Sequence, residues 1–188
     1  MKKVIIVLIV VAVIIFMIGG WVISGLNRAV ILDEAVTSAW SQVENQLQRR
    51  NDLIPNLVNT VKGYASHEKG IFIEVTKLRS QWANASTRQD QIKAAEGMGG
   101  VLSKLLLVAE NYPNLKASQN FLTLQAQLEG TENRIAVERN RYNRTVKAFN
   151  TYRRTVFGSI FARMRGLDKP EEYFQAEAAA KAVPKVEF

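Results

Sequence analysis

Between Val4 and Ile23 the chain runs for twenty residues without a charged side chain, and nothing else in the sequence limits its fold as strongly. At about 1.5 Å per residue, such a helix spans about 30 Å, the thickness of a bilayer's hydrocarbon core. A cleaved signal peptide shares the basic start, here Lys2 and Lys3, but has a shorter apolar core of about 7–15 residues and a small-x-small cleavage site. Ile23 and Gly25 match that site poorly, so the run reads as a retained membrane span with Trp21 as its interfacial anchor. Lys2 and Lys3 precede it, and only Arg28 is basic in the stretch that follows. The positive-inside rule then predicts a single-pass protein with a cytoplasmic N-terminus and the remaining chain outside. Gly20 and Ser24 have the small-xxx-small spacing that allows close pairing of spans.

Beyond the span, the pattern from Asn27 to Phe157 is helical. Val36, Val43, Leu57 and Tyr64 share one seven-residue phase, and Trp40, Leu47, Ile54 and Val61 share a second, four residues on. The last long segment places Phe121, Leu128, Ile135, Tyr142, Phe149 and Val156 seven apart. Two shorter helices are predicted between them. One covers Glu68 to Ala85, with Ile71, Val75, Leu78 and Trp82 inward; the other covers Gln89 to Glu110, with Ile92, Leu102, Leu105, Leu106 and Ala109 inward. Asn84 to Asp90 is rich in capping and turn residues. Tyr112-Pro113-Asn114 ends the second of these helices, because the residue before proline avoids the helical region, and Asn114 is placed to cap the next.

These readings divide the chain into a transmembrane anchor (1–26), an antiparallel helical bundle (27–157) and a segment of short helices and flexible tail (158–188). The expected fold is all-α, an elongated antiparallel bundle of about four helices whose first and last are long, each near 60 Å. The economical path runs out from the membrane, back through the two middle helices placed end to end, and out again. That path carries the arginine-rich end of the last helix away from the bilayer, whereas a compact four-helix arrangement brings it near. Within the first stripe, Pro55 removes a hydrogen bond and predicts a kink or local widening. Arg50 falls in a core phase, as does Glu132 on the last helix; the two either pair, or Arg50 reaches solvent along its own stem. Asp168-Lys169-Pro170-Glu171-Glu172 reads as a helix start capped by Asp168, leading through Tyr173 and Phe174 into a short Ala-rich helix.

Charge suggests one surface. The formal net charge is +8, and Arg134 to Arg165 holds nine Lys or Arg against one acid, Glu138. Arg141, Arg144, Arg153 and Arg154 in this stretch form a candidate anion-binding surface for anionic lipid or an envelope polymer, with nucleic acid disfavoured; the alternative is a solvated helix face. Reaction chemistry finds less support. The absence of cysteine excludes disulfides, cysteine metal sites and a lipid-modified cysteine. His67-Glu68 lacks the second histidine that a zinc helix needs, since position 71 is Ile, so His67 reads as a turn residue. Gly97, Gly99 and Gly100 before Ser103-Lys104 have the wrong order and spacing for a phosphate loop. No catalytic, metal-binding or cofactor-binding residue is assigned, and no cofactor is expected. An unrecognised hydrolase is only a remainder.

Three blocks carry a family resemblance: Ala39-Trp40-Ser41-Gln42-Val43-Glu44, Gln46-Leu47-Gln48-Arg49-Arg50, and Asp52-Leu53-Ile54-Pro55-Asn56-Leu57-Val58. With Tyr64-Ala65, His67-Glu68, Glu110-Asn111-Tyr112-Pro113-Asn114-Leu115-Lys116 and Arg141-Tyr142-Asn143, they resemble the LemA family over almost the whole chain, span included. One departure is Gly158 after Phe157, where the family often has proline. The resemblance implies a membrane-anchored antiparallel bundle without an assigned reaction. The family's neighbourhood of membrane-associated proteins and zinc proteases implies work in envelope assembly or quality control. The expected function is therefore a non-enzymatic scaffold or adaptor, self-assembling and able to shape membrane. Its expected partners are membrane lipids, further copies of itself and other envelope proteins.

Overall fold

The computed structural model describes residues 2–174, and among these there are six helices and no strand. They are α1 (Lys2–Lys62), α2 (Lys69–Ala83), α3 (Arg88–Glu110), α4 (Pro113–Lys116), α5 (Gln119–Arg154) and α6 (Val156–Met164). The all-α bundle expected from periodicity is the fold observed. α1 is a single helix that holds both the apolar run and the first heptad stripe, and Pro55 lies inside it.

The chain divides into two compact units. The first joins Met1–Ser41 to Arg141–Tyr173; the second is built from Gln42–Asn140, with Phe174. In the second unit the core consists of Ile54, Leu57, Val61, Phe72, Val75, Met98, Val101, Leu105, Leu115, Phe121 and Leu128, among others. The heptad positions Ile54, Leu57, Val61, Phe121 and Leu128 supply part of it, and the middle helices supply much of the rest. Leu47, Ile54, Leu57 and Val61 of α1 are at most 1% exposed, as the stripe demands. The phases fail just past helix ends: Tyr64, beyond Lys62, and Val156, beyond the break at Thr155, are both exposed. A periodic stripe has meaning only while the helix that generates it continues.

The helices of the second unit run alternately up and down, which corrects the end-to-end path expected for the two middle ones. α2 and α3 form a hairpin: Leu78 packs over Gly97, and Lys104 pairs with Glu74 at 3.3 Å. The physical reason is the connection, only Asn84 to Thr87 long. Short helix–helix loops make antiparallel neighbours. Thr87 closes it, its Oγ1 accepting from the Asp90 backbone N–H at 3.1 Å. The α3–α5 corner also differs from expectation. Pro113 opens the short α4 with Tyr112 before it, so Asn114 lies within a helix instead of capping one. His67 sits in the α1–α2 turn, where its carbonyl accepts from the Lys69 N–H.

One ion pair ties three helices of this unit. Arg50, 3% exposed, donates from Nη1 to Glu132 Oε1 at 3.1 Å and from Nη2 to the Ala95 carbonyl at 2.8 Å. The guanidinium is dry while the Glu132 side chain is 44% exposed, so only one partner is fully desolvated. Its Nε has no partner among the described residues. Breaking one side of a buried pair costs far more than the pair contributes. Arg50→Ala should lower the stability of the chain by about 3 kcal/mol, through the lost bonds and the cavity left behind. Glu132→Gln, which can still accept at a half-exposed site, should cost about 1 kcal/mol. Thermal unfolding in detergent, followed by helical circular dichroism, checks both; equal losses would contradict the asymmetry.

Candidate functional site at the end of the apolar helix

The first unit brings the end of the apolar run against the end of α5 and against α6. Val4 and Ile23 bound a segment whose large side chains are exposed except for the half-buried Val22, and α1 alone among the described helices is long and apolar enough to cross a membrane. The chain is a membrane protein by this segment. Trp21, half exposed near its far end, stands edge-on to Phe157, with ring centroids 4.9 Å apart, and to Phe161 at 5.3 Å. Phe161 lies so close over Gly25 that any Cβ there would overlap its ring. Beside it, Tyr152 Oη donates to the Gly25 carbonyl at 2.6 Å. Further along, Trp40 meets Tyr142 edge to face at 5.5 Å. Residues 21–25 thus face 152–161 while 40 faces 142, so α5 runs antiparallel to α1.

This overturns the expected position of the basic stretch. The arginine-rich end of α5 returns to the end of the apolar run because the α2–α3 hairpin adds one reversal to the path. Arg141, Arg144 and Arg154 are exposed on α5. Arg153 differs: it is half-buried and donates from Nη1 to the Asp168 carbonyl. Sequence placed these four on one surface, and the structure assigns Arg153 a structural bond.

α6 follows α5 after a one-residue break. Thr155 caps it, its Oγ1 accepting from the Gly158 N–H at 3.1 Å. A side chain at Gly158 would overlap the Tyr152 carbonyl and the Thr155 hydroxyl, so this tight turn requires a glycine. A turn through Gly166 then ends α6, with the Leu167 N–H on the Ala162 carbonyl at 2.9 Å. The helix expected from Asp168 is not formed within Asp168–Phe174. Buried Asn150 clamps this segment instead: its amide donates to the Glu171 carbonyl at 2.8 Å and accepts from the Glu171 N–H at 3.1 Å. Tyr142 Oη donates to the Glu172 carbonyl at 2.8 Å. With these backbone groups engaged sideways, they are withheld from a helix. Tyr173 is exposed, while Phe174 in the second unit is buried, its ring 4.6 Å from the Arg139 guanidinium. The Ala-rich helix expected after Phe174 and the tail lie outside the described residues.

Among the described residues no three His, Cys, Asp or Glu side chains are grouped to hold a metal. A groove of about 510 Å³ in the second unit is lined by Gly99, Leu102, Ser103, Leu128, Glu129 and Glu132. Ser103 Oγ donates to the Gly99 carbonyl of its own helix.

A family model for LemA matches residues 39–188, four fifths of the chain. The chain belongs to the LemA family. The match begins at Ala39, so it leaves out the apolar run that the resemblance had taken in. Among relatives, the chain is 26% identical over 179 residues to magnetosome protein MamQ 2 of Paramagnetospirillum magneticum, an alignment covering 81% of this chain and 65% of that protein. Magnetosome protein MamQ of Magnetospirillum gryphiswaldense is 24% identical with the same coverage. Protein LemA of Metamycoplasma hominis is 22% identical over 117 residues, 62% of this chain and 53% of that protein. This LemA-family chain thus spans 65% of the length of its magnetosome relatives.

The Tyr152 phenol is pushed above its ordinary value of 10.0 by burial, with Arg28 acting in the opposite direction. The neutral phenol is therefore favoured in the folded state. Its contribution is complete below pH about 10 and is lost as pH rises through the raised value. Tyr152→Phe should cost about 1 kcal/mol through the lost bond to Gly25. In an alkaline absorbance titration, the variant should lack the tyrosine that ionises late; loss of an early-ionising one would contradict the assignment.

Proposed function

We propose that this LemA-family protein is a non-catalytic, membrane-anchored scaffold or adaptor of the bacterial envelope, working as an assembly of several copies. The observation that carries this reading is the double tie at the end of the apolar run. α1 leaves the run as one helix, and α5 and α6 return to it through Tyr152, Phe157 and Phe161. Such a joint holds a helical platform to the bilayer rather than letting it swing on a linker. Relatives named as magnetosome proteins, parts of a larger body, support assembly as the work of the fold. The sidedness that accompanies this reading is a cytoplasmic N-terminus in the inner membrane. Although arginines gather at the far end of the run in the folded chain, the positive-inside rule acts on the sequence flanking a span, where Lys2 and Lys3 face Arg28 alone. In mild detergent, the full-length protein should show a mass well above one copy by light scattering. A clean monomer at micromolar concentration, with no crosslinked partner from membranes, would sink the proposal.

A second reading has its own support, the exposed Arg141, Arg144 and Arg154 on α5: a binding module for anionic lipid headgroups or an envelope polymer. Charge-driven binding weakens steeply with salt. Added vesicles of anionic lipid should bind the detergent-solubilised chain in low salt and release it at high salt. The triple charge reversal Arg141→Glu, Arg144→Glu, Arg154→Glu should abolish that binding. Arg153 is left intact because its bond to the Asp168 carbonyl would confound the result.

A further inference from the structure

α6 has two apolar faces, and the packing of the first unit uses only one. Gly158, Phe161 and Ala162 are buried. Val156, Ile160 and Met164, each four residues from the next, are 76%, 51% and 63% exposed, and Phe157 beside them is 56% exposed. These four large side chains form a continuous stripe along the outer side of the helix. Arg153 and Arg154 precede the stripe and Arg163 and Arg165 accompany its end; between Arg139 and Leu167 there is no Asp or Glu.

We propose that α6 is an in-plane membrane helix, its outer stripe embedded in the same bilayer leaflet that receives the end of the α1 span. This rests on reading Val4–Ile23 as a span. The occupant follows from continuity. Trp21 lies within that run, and Phe157 stands against its ring, so the medium that covers Trp21 extends over Phe157 and along the stripe. Nine residues are too short to cross a bilayer but suit a helix whose apolar face sinks about 5–10 Å into the boundary of headgroups and acyl chains. The exposed Arg154, Arg163 and Arg165 match anionic headgroups and can snorkel to them. A second copy docking the same stripe would bring like charges together, which is costly. Phe161, set on Gly25, fixes the height of α6, so the span and α6 together hold the first unit to the membrane at two points instead of one.

The natural absence of cysteine permits a direct test. Full-length chains carrying Ile160→Cys, Met164→Cys, Ile73→Cys or Ile9→Cys are labelled with an environment-sensitive fluorophore and reconstituted in vesicles containing phosphatidylglycerol. Quenching by lipids spin-labelled near the headgroup or near the acyl tail reports depth, and aqueous iodide reports exposure. Probes at positions 160 and 164 should be quenched severalfold more by the shallow lipid label than a probe at position 73, and shielded from iodide. The probe at position 9 should respond to the deep label. If it responds while the 160 and 164 probes are as open to iodide as the one at 73, the α6 proposal fails alone. Probes at 160 and 164 shielded from both iodide and lipid labels would mean that protein covers the stripe, which also overturns it. A position 9 probe open to iodide would remove the span and this proposal together.

Discussion

Phe161 on Gly25, with Trp21 and Tyr152 on either side, is the contact on which the arrangement of the first unit depends. It requires a bare backbone on α1, since any side chain at 25 would occupy the place of the ring. The hydrogen bond from Tyr152 then fixes rotation, because a carbonyl on one side of a helix can be met from only one direction. The returning helix, the turn at Gly158 and the strap held by Asn150 are built outward from that joint. The joint also turns a statement about hydrophobicity into one about geometry: the level at which the apolar run ends is the level at which α6 lies.

Much of the fold could be read from spacing alone. All but two of the positions in the seven-residue phases are buried, and the two that failed, Tyr64 and Val156, lie just beyond helix ends. The path of the chain was harder to read, for a reason visible in four residues. Asn84 to Asp90 was recognised as a break, but a break does not state its angle; the shortness of the observed connection, Asn84 to Thr87, rather than its composition, sets the reversal. That one turn decides where the basic end of α5 arrives. The strap was misread because Asp168 and Pro170 do describe a helix start locally, while Asn150, eighteen residues before Asp168, competes for the same backbone groups. No local pattern announces a distant amide. α6 was read only as part of a segment of short helices beginning at residue 158, for a related reason: its buried face is defined by Gly25, far away in sequence, and a short apolar stretch alone does not reveal which side is covered.

The basic stretch shows why charge counts need positions. Four arginines that look equivalent in sequence separate into exposed side chains on α5 and one, Arg153, that holds the strap through a backbone carbonyl. A surface reading that treated them alike would overlook the backbone bond that Arg153 makes.

Arg50 has a consequence beyond its stability. Its two nitrogens reach a carboxylate on α5 and a main-chain carbonyl on α3, so it measures three helices against one another. Apolar stripes repeat every seven residues and tolerate sliding, for leucine packs on leucine at more than one offset. A guanidinium that must find one carboxylate and one carbonyl does not: a slip of one turn, about 5.4 Å, would leave it stranded in the dry core. The residue acts as a vernier, selecting a single alignment from several that hydrophobic packing alone would accept.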